Sequence, residues 1–321
     1  MTFIEPRIVP PEEFPESSAR TAGMAVLEAN LTPIHATALL DVVYAEKSGR
    51  RLRLQVILPP GVDATPPDGD ETGAGGAYPC LLYVQGSAWR EQALGQNLPA
   101  LADFARRGYV IAIVEYRPSD LAPFPAQVAD VKTAIRYVRA HAAELHVDPG
   151  KIGLWGDSSG GHTTLMTYAT QDSQDYSDEP VGPGLDGGLG LRCFIDYYGP
   201  TDISRMNEEP SIQDHRSPGS PEGMLIGGHD VLDHPELVGP TVVASHVPDA
   251  ADRRLQPLLV IHGSKDRIVP FAQSAQFCEK LAAAGQDVTF YQLRGADHAG
   301  PPFWQPEVLD IVDAFAMESF R

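Results

Sequence analysis

Cysteine is scarce in this sequence, and its distribution excludes two kinds of scaffold. Three of the 321 residues are cysteine, namely Cys80, Cys193 and Cys278. They lie far apart and form no CxxC or Cys/His pattern, so neither a disulfide framework nor a cysteine-based zinc site is expected. Cys80 and Cys193 lie in apolar, strand-like runs, which predicts that they are buried as small hydrophobic residues.

Basic residues are also few. Lysine and arginine total 24 against 43 aspartates and glutamates, which gives a formal net charge of −19. An acidic surface repels phosphate backbones and anionic lipids, so nucleic-acid and membrane-surface partners are not expected. No apolar run is long enough to span a bilayer, and the first residues lack the basic and apolar parts of a signal peptide. The expectation is a cytoplasmic, reducing location, and homo-oligomerisation is left open.

Three segments show no regular hydrophobic pattern. Residues 1–36 predict an N-terminal arm with one short helical stretch at 22–29, and residues 61–78 predict a surface insertion rich in glycine and proline. Residues 203–256 are rich in proline and are expected to fold over the domain as a cap insertion. The domain itself is predicted to cover residues 37–321.

The remainder of the chain alternates between strand-like and helix-like patterns. A β-hairpin is predicted at 37–44 and 52–58. From Cys80 onward, short apolar runs alternate with amphipathic stretches. This order predicts an α/β fold whose central sheet is mostly parallel and carries helices on both faces. In such sheets the chemistry lies at the carboxyl ends of the strands.

The most specific motif is Gly-Asp-Ser-Ser-Gly at residues 156–160, between a predicted strand and a predicted helix. This G-x-S-x-G pattern in a strand–turn–helix context predicts that Ser158 is a nucleophile exposed above the sheet. Side chains at Gly156 and Gly160 would collide with neighbouring backbone in so tight a turn. The alternative is a phosphate-binding loop, but that loop would carry a lysine after its last glycine, and none is present.

A serine nucleophile needs a base, and the base needs a carboxylate that orients it. The order serine, acid, histidine is typical of this kind of fold. Asp266 follows the predicted strand at 258–262, and His298 follows the next strand along the chain. Both residues are therefore expected in loops at the carboxyl ends of parallel strands, on the same side of the sheet as Ser158.

Other acidic residues and histidines are alternatives for these roles. Asp202 follows the strand at 193–198, where some hydrolases carry the acid, but Asp266 is favoured. The remaining three are expected to be solvated, capping or structural: Asp297, His162 and His262. The histidines at the ends of the run 229–234 could bind a metal, but their spacing suits a loop of the cap equally well, so no metal is expected.

A loop of small residues, Gln-Gly-Ser-Ala-Trp at 85–89, follows the first strand of the parallel run. Such a loop can bring backbone N–H groups close to a carbonyl oxygen as it becomes anionic. Trp89 and Trp304 are candidates for the wall of a substrate pocket, with ordinary core packing as the equal alternative for each.

These motifs together resemble the α/β-hydrolase superfamily, specifically the hormone-sensitive-lipase-like esterases and the related acetylxylan and feruloyl esterases. The resemblance covers about residues 79–321 and rests on GDSSGGH (156–162), HGSKDRIVP (262–270), GADH (295–298) and FPAQVADVKTAIRYVRAHA (124–142). It implies the α/β-hydrolase fold and a catalytic triad of Ser158, Asp266 and His298.

The resemblance also implies an oxyanion hole. Its donors would be the backbone N–H groups of Ser87, Ala88 and Ser159. One departure is clear, because the family's usual His-Gly-Gly-Gly-Trp reads Gln-Gly-Ser-Ala-Trp at 85–89 of this chain. The replacement of two glycines affects the aim of the N–H donors and the width of the acyl pocket.

The expected activity is hydrolysis of a small-molecule ester with a short, acetyl-type acyl group, through an acyl-enzyme on Ser158 and without a cofactor. The chain shows no long apolar cap helix that could hold a fatty tail. Two alternatives remain. A prolyl-oligopeptidase-like peptidase usually carries a large further domain, for which this chain has no room. A non-catalytic ligand-binding protein on a hydrolase scaffold usually lacks a triad member.

Overall fold

A mostly parallel sheet runs through the computed structural model of the chain, whose described residues are 5–62, 77–180 and 188–321. Within these residues the sheet has eight strands: β1 (Thr37–Lys47), β2 (Arg50–Leu58), β3 (Tyr78–Val84), β4 (Val110–Val114), β5 (Val147–Asp157), β6 (Leu191–Tyr197), β7 (Leu258–Gly263) and β8 (Val288–Leu293). Their order is β1-β2-β4-β3-β5-β6-β7-β8. Strand β2 pairs antiparallel with β1 and β4, and all other neighbours are parallel.

Helices cover both faces of this sheet. In the described ranges they are α1 (Leu98–Ala105), α2 (Ala126–Ala140), α3 (Ser159–Ala169), α4 (Pro221–Leu225), α5 (Pro235–Val238), α6 (Phe271–Ala283) and α7 (Pro306–Ser319). Side chains of a strand alternate between faces. Accordingly, Leu82 of β3 packs in the core with α2, α3 and α6, whereas Leu81 and Tyr83 pack with α1 and α7. The predicted fold class is therefore confirmed.

The hydrophobic pattern explains these elements. Four apolar residues of α2, at spacings of three and four, are buried on the sheet side: Val128, Val131, Ile135 and Val138. Strands β4 and β7 are buried along their whole length, as expected for parallel strands covered on both faces. The hairpin turn between β1 and β2 has Ser48 at φ 51° and Gly49 at φ 72°, the positive values that a two-residue hairpin turn favours.

Residues 5–33 form a unit of their own, separate from residues 34–321. The first unit contains one 3-10 turn at Pro11–Glu13. The prediction of a helix at 22–29 was wrong, because the chain there forms a turn at 22–23 followed by irregular backbone. The boundary at residue 36 between arm and domain stays a prediction.

The segment 203–256, which we call the cap segment, contains α4, α5 and several 3-10 turns. Its apolar side chains form a small cluster with Trp89: Ile203, Leu225, Ile226, Val231 and Val238. This cluster anchors the cap segment beside the carboxyl end of β3. Of the insertion predicted at 61–78, residues 63–76 lie outside the described residues.

All three cysteines are buried and unpaired. Burial raises the pKa of the Cys193 and Cys278 thiols to about 12. It also raises the pKa of the Cys80 thiol well above the ordinary value. Among the helices of the described ranges, none combines the length and hydrophobicity that crossing a membrane requires.

Candidate active site

Ser158 lies at a sharp turn between β5 and α3. Its backbone has φ 52° and ψ −126°, a strained conformation for a residue with a side chain. Two glycines make the turn possible. A Cβ atom at Gly160 would lie 1.9 Å from the carbonyl oxygen of Val84, and one at Gly156 would lie 2.3 Å from the carbonyl oxygen of Gly160. The turn therefore lifts Ser158 above the sheet at the N-terminus of α3.

The structure brings Ser158, His298 and Asp266 together. His298 Nε2 lies 2.9 Å from Ser158 Oγ, and His298 Nδ1 lies 2.7 Å from Asp266 Oδ2. An ionised carboxylate can only accept, so the Nδ1–H of His298 donates to Asp266 and leaves Nε2 free to accept from the Ser158 hydroxyl. This is the arrangement in which a serine can lose its proton to a histidine.

Asp266 is held as a carboxylate by several donors. Its Oδ1 accepts the backbone N–H groups of Ile268 and Val269 at 2.9 and 2.8 Å. Burial alone would raise the pKa of Asp266, but the hydrogen bonds from His262 and His298 outweigh it and hold that pKa well below its usual range. Asp266 therefore stays charged beside His298.

His262 lies against Asp266, a contact that was not predicted from the sequence. It was expected to be a core histidine bonded to backbone, and it is fully buried, with Nε2 at 3.0 Å from the carbonyl oxygen of Val269. The same nitrogen lies 3.2 Å from Asp266 Oδ2. On the other side of the ring, Nδ1 lies 2.7 Å from the hydroxyl of Ser274. Because Val269 can only accept, the proton lies on Nε2 and the ring supports the carboxylate of Asp266.

The predicted oxyanion donors differ in what they bond. The N–H of Ser87 donates to Ser159 Oγ at 2.9 Å. Among the described residues, the N–H groups of Ala88 and Ser159 have no hydrogen-bond acceptor. Ala88 has φ 56°, a left-handed value that a glycine would adopt more easily. Two of the three predicted groups are thus free beside Ser158.

Trp89 lines the cavity next to Ser158 and is 2% exposed. Its Nε1–H donates to His162 Nδ1 at 3.2 Å, and His162 Nε2 lies 3.0 Å from the carbonyl oxygen of Thr241 in the cap segment. Burial lowers the pKa of His162 to about 4, so the ring is neutral and its Nε2–H donates to Thr241. His162 thus has the structural position expected of it.

Trp304 lies elsewhere. It is not among the residues that line this cavity. Its ring packs against Trp155, Tyr83 and Tyr197 at centroid distances of 5.6, 6.1 and 6.4 Å. Of the two tryptophans proposed for the pocket wall, the structure brings Trp89 to the cavity, whereas Trp304 is partly buried and packs against the core on the side of α1 and α7.

The alternative residues have other partners. Asp202 caps a 3-10 turn by accepting the N–H of Ser204 at 3.0 Å, and Asp297 pairs with Arg267. The ring centroids of His229 and His234 lie 4.5 Å apart. Within the described ranges, no group of three or more histidine, cysteine or acidic residues is placed to hold a metal ion.

The cavity above Ser158 is small and mixed in character. Its volume is about 240 Å³. Its lining combines the proposed catalytic groups with apolar and amide side chains: Gly86, Ser87, Ala88, Trp89, Gln96, Asp157, Ser158, Ser159, Pro200, Gln213, Pro221, Glu222, Ile268, Val269, His298 and Ala299. A space of this size can hold a small organic group.

The sheet order and the hydrogen-bonded serine, histidine and aspartate together define an α/β-hydrolase with a serine-hydrolase site. A family model described as BD-FAE matches residues 70–281, more than half of the chain. The chain therefore belongs to the BD-FAE family. The resemblance to α/β-hydrolase esterases that the motifs indicate is confirmed.

Individual proteins are similar over most of the chain. The probable carboxylic ester hydrolase LipM of Mycobacterium tuberculosis is 26% identical over 265 residues, which are 81% of this chain and 55% of LipM. Esterase LipC of the same organism is 29% identical over 225 residues, which are 68% of this chain and 52% of LipC. The chain spans about half the length of these two relatives.

A solved structure is similar along nearly its whole length. It is a truncated form of a carbohydrate esterase from gut microbiota, with a TM-score of 0.72 and 27% sequence identity. The similarity covers 90% of this chain and 99% of that chain.

Proposed function

We propose that this chain hydrolyses carboxylic esters with short, acetyl-type acyl groups through an acyl-enzyme formed on Ser158. The observation that carries the proposal is the 2.9 Å hydrogen bond between Ser158 Oγ and His298 Nε2 beside a cavity of about 240 Å³. The names of LipM and LipC, a carboxylic ester hydrolase and an esterase, support an ester as the bond that is broken.

In the first half-reaction Ser158 Oγ attacks the carbonyl carbon of the ester. His298 Nε2 takes the hydroxyl proton as the new bond forms, and Asp266 stabilises the imidazolium that results. The electron pair of the carbonyl moves to its oxygen, where the free N–H groups of Ala88 and Ser159 are available as donors. The bond to the alcohol then breaks, and the alcohol leaves with the proton from His298.

Water completes the second half-reaction. His298 takes a proton from the water as its oxygen attacks the acyl carbon, and the same N–H groups receive the negative charge a second time. The bond between the acyl carbon and Ser158 Oγ breaks, the carboxylic acid leaves and Ser158 regains its proton. The steps require neither a metal nor a cofactor.

The size of the cavity supports a short acyl group. If a tunnel for a long chain existed, each buried CH₂ would contribute about 0.8 kcal/mol, and kcat/KM would rise nearly fourfold per methylene. We expect a maximum at acetyl to butyryl and a decline beyond it, because longer chains meet the wall that includes Trp89.

Measuring kcat/KM on p-nitrophenyl esters from acetyl to dodecanoyl tests the size preference. A profile that still climbs at octanoyl would contradict it. Intact-mass measurement during turnover tests the acyl-enzyme, which should be absent in Ser158→Ala. Matched p-nitroanilides separate ester hydrolysis from peptidase activity, and activity on neither substrate would leave only a ligand-binding role.

A further inference from the structure

Glu222 places a buried carboxylate in the wall of the same cavity. It lies in α4 of the cap segment, is 2% exposed and lines the space above Ser158. One of its oxygens, Oε1, lies 2.8 Å from His215 Nδ1. The other, Oε2, is buried and has no hydrogen-bond partner among the described residues. A buried carboxylate oxygen without a donor is uncommon in folded proteins.

Glu222 is held in this position by a chain of hydrogen bonds. His215 is 1% exposed, and its Nε2 lies 2.7 Å from Ser211 Oγ. Ser211 Oγ in turn lies 3.1 Å from the carbonyl oxygen of Arg267 and 3.2 Å from that of Ile268. These two residues directly follow Asp266. The chain therefore ties the Glu222 carboxylate to the loop that carries the acid of the proposed triad.

Ser211, His215 and Glu222 repeat the residue types of a serine triad, but this set is suited to holding a carboxylate. Two backbone carbonyl oxygens lie within hydrogen-bond distance of the Ser211 hydroxyl, and its oxygen accepts the backbone N–H of Gln213 at 3.2 Å. The Ser211 hydroxyl is thus engaged locally. The atom left without a partner is Oε2 of Glu222, and Glu222 is the one residue of the three that lines the cavity.

The charges of the cavity indicate what Oε2 would bind. Its lining residues in the described part include Glu222 and Asp157 but no lysine or arginine. Asp157 already accepts the N–H of Gly86 and the hydroxyl of Tyr83, each at 2.8 Å. A negatively charged group of a substrate would meet repulsion here, whereas a hydroxyl could donate to Glu222 Oε2.

We propose that Glu222, oriented by His215, is a specificity-determining residue that accepts a hydrogen bond from a hydroxyl on the ester substrate. This inference rests on the proposed function, because it concerns the substrate of that same site. A site built to bond a substrate hydroxyl disfavours the analogue that lacks it, because its buried acceptor is then left unpaired.

Two pairs of esters test this preference. Glycerol monoacetate and propyl acetate differ in hydroxyls on the alcohol, whereas propyl lactate and propyl propionate differ in a hydroxyl on the acyl group. Acid release at constant pH gives kcat/KM for each ester. We expect one hydroxylated ester to be preferred over its partner by about ten- to hundredfold, the usual range for a hydrogen bond to a charged group. The pair that shows the preference identifies the part of the substrate that Glu222 contacts.

The decisive variant is Glu222→Gln. Because His215 Nδ1–H needs an acceptor, the amide oxygen should face His215 and the amide N–H₂ should replace Oε2, which turns an acceptor into a donor. The ratio of kcat/KM between the hydroxylated ester and its partner should then fall toward one. The control is Glu236→Gln, which alters an exposed carboxylate paired with His234 at 3.0 Å in the same segment and away from the cavity. It should keep the wild-type preference.

His215→Phe gives a second route if Glu222→Gln does not fold. It frees the carboxylate without removing it, and the preference should again fall, whereas a merely structural role of His215 would lower the activity on both esters of a pair equally. A wild-type enzyme that prefers neither hydroxylated ester would overturn the inference and leave the proposed function standing. No hydrolysis of any of the four esters would overturn the proposed function, and the inference with it.

Discussion

The side-chain oxygen of Ser159 accepts the backbone N–H of Ser87 at 2.9 Å. This bond joins the loop after β3 to the first residue of α3, and it is reinforced by Tyr116, whose hydroxyl lies 2.9 Å from Ser87 Oγ. The loop that carries Ala88 is thereby fixed next to Ser158. Ser159 therefore has two proposed roles. Its backbone N–H is a proposed oxyanion donor, and its hydroxyl anchors the loop that carries the other donor, Ala88.

We predict that Ser159→Ala lowers kcat/KM for a short ester by about tenfold, which corresponds to about 1.4 kcal/mol of transition-state stabilisation. The backbone N–H of residue 159 remains, but the Ser87 N–H loses its acceptor and the Ala88 N–H loses its fixed aim. Ser158→Ala, which removes the proposed nucleophile, should lower kcat by roughly 10⁴- to 10⁶-fold. Equal losses in the two variants would contradict both roles.

Asp266→Asn should reduce kcat by about 10⁴-fold, because an amide at this position can no longer fix the His298 tautomer or stabilise its charged form. The matched control is Asp202→Asn, because asparagine caps a helical turn as well as aspartate does. The control should change kcat less than about twofold on the same ester. If the control is the crippled variant, the acid belongs to the loop after β6.

The two tryptophans should behave differently when trimmed. Trp89→Ala widens the cavity, so the preferred p-nitrophenyl ester should shift toward longer acyl groups. Trp304→Ala should leave the preferred chain length unchanged but should lower the free energy of unfolding by about 1–3 kcal/mol, because the partly buried ring loses its packing against Trp155 and Tyr197. Chain-length profiles and denaturant unfolding of both variants check this. A shifted optimum in Trp304→Ala would place that ring in the substrate's path.

Stability should depend on pH through Lys132, a fully buried residue of α2 whose Nζ donates to the carbonyl oxygen of Thr170. Burial, helped by the charge of Arg136, lowers the pKa of Lys132 to about 7. An unfolded lysine keeps its proton up to about pH 10.4. Between these values the unfolded chain binds one proton more than the folded chain, so stability rises with pH.

The comparison is with Lys132→Met, which lacks this titration. The Tm of the wild type relative to that of Lys132→Met should increase from about pH 7 to about pH 10 and should stay level below pH 7. Calorimetric scans of both proteins at matched ionic strength measure the difference. A difference that does not change with pH would mean that Lys132 keeps its proton in the folded chain.

Local patterns predict much of this site because of sheet geometry. Ser158, Asp266 and His298 follow three strands of one parallel sheet, so their side chains lie at a common edge whatever their distance in sequence. The turn around Ser158 could also be predicted from the sequence. A side chain at Gly156 would collide with the backbone of Gly160, and one at Gly160 would collide with the backbone of the adjacent strand β3. Side-chain contacts across the fold carry no such local signal.

Some contacts could not be predicted from the sequence, namely those of His262, Trp304 and Glu222. The contact of His262 with Asp266 depends on how the loop between them folds back, although their separation of four residues is a signal that could have been read. Trp304 and Trp89 are alike in sequence terms, and only tertiary packing separates them. The helix predicted at 22–29 failed because a short isolated helix is marginal in water and its apolar spacing alone does not stabilise it.

The burial of all three native thiols has a practical consequence for following this molecule in solution. Cys80, Cys193 and Cys278 should stay inert toward maleimides and other thiol reagents as long as the chain is folded. A single cysteine introduced at an exposed site, such as Ser245→Cys in the cap segment, would then be the sole attachment point for a fluorophore. The native background needs no removal, so movements of that segment during turnover can be recorded on an otherwise unaltered enzyme.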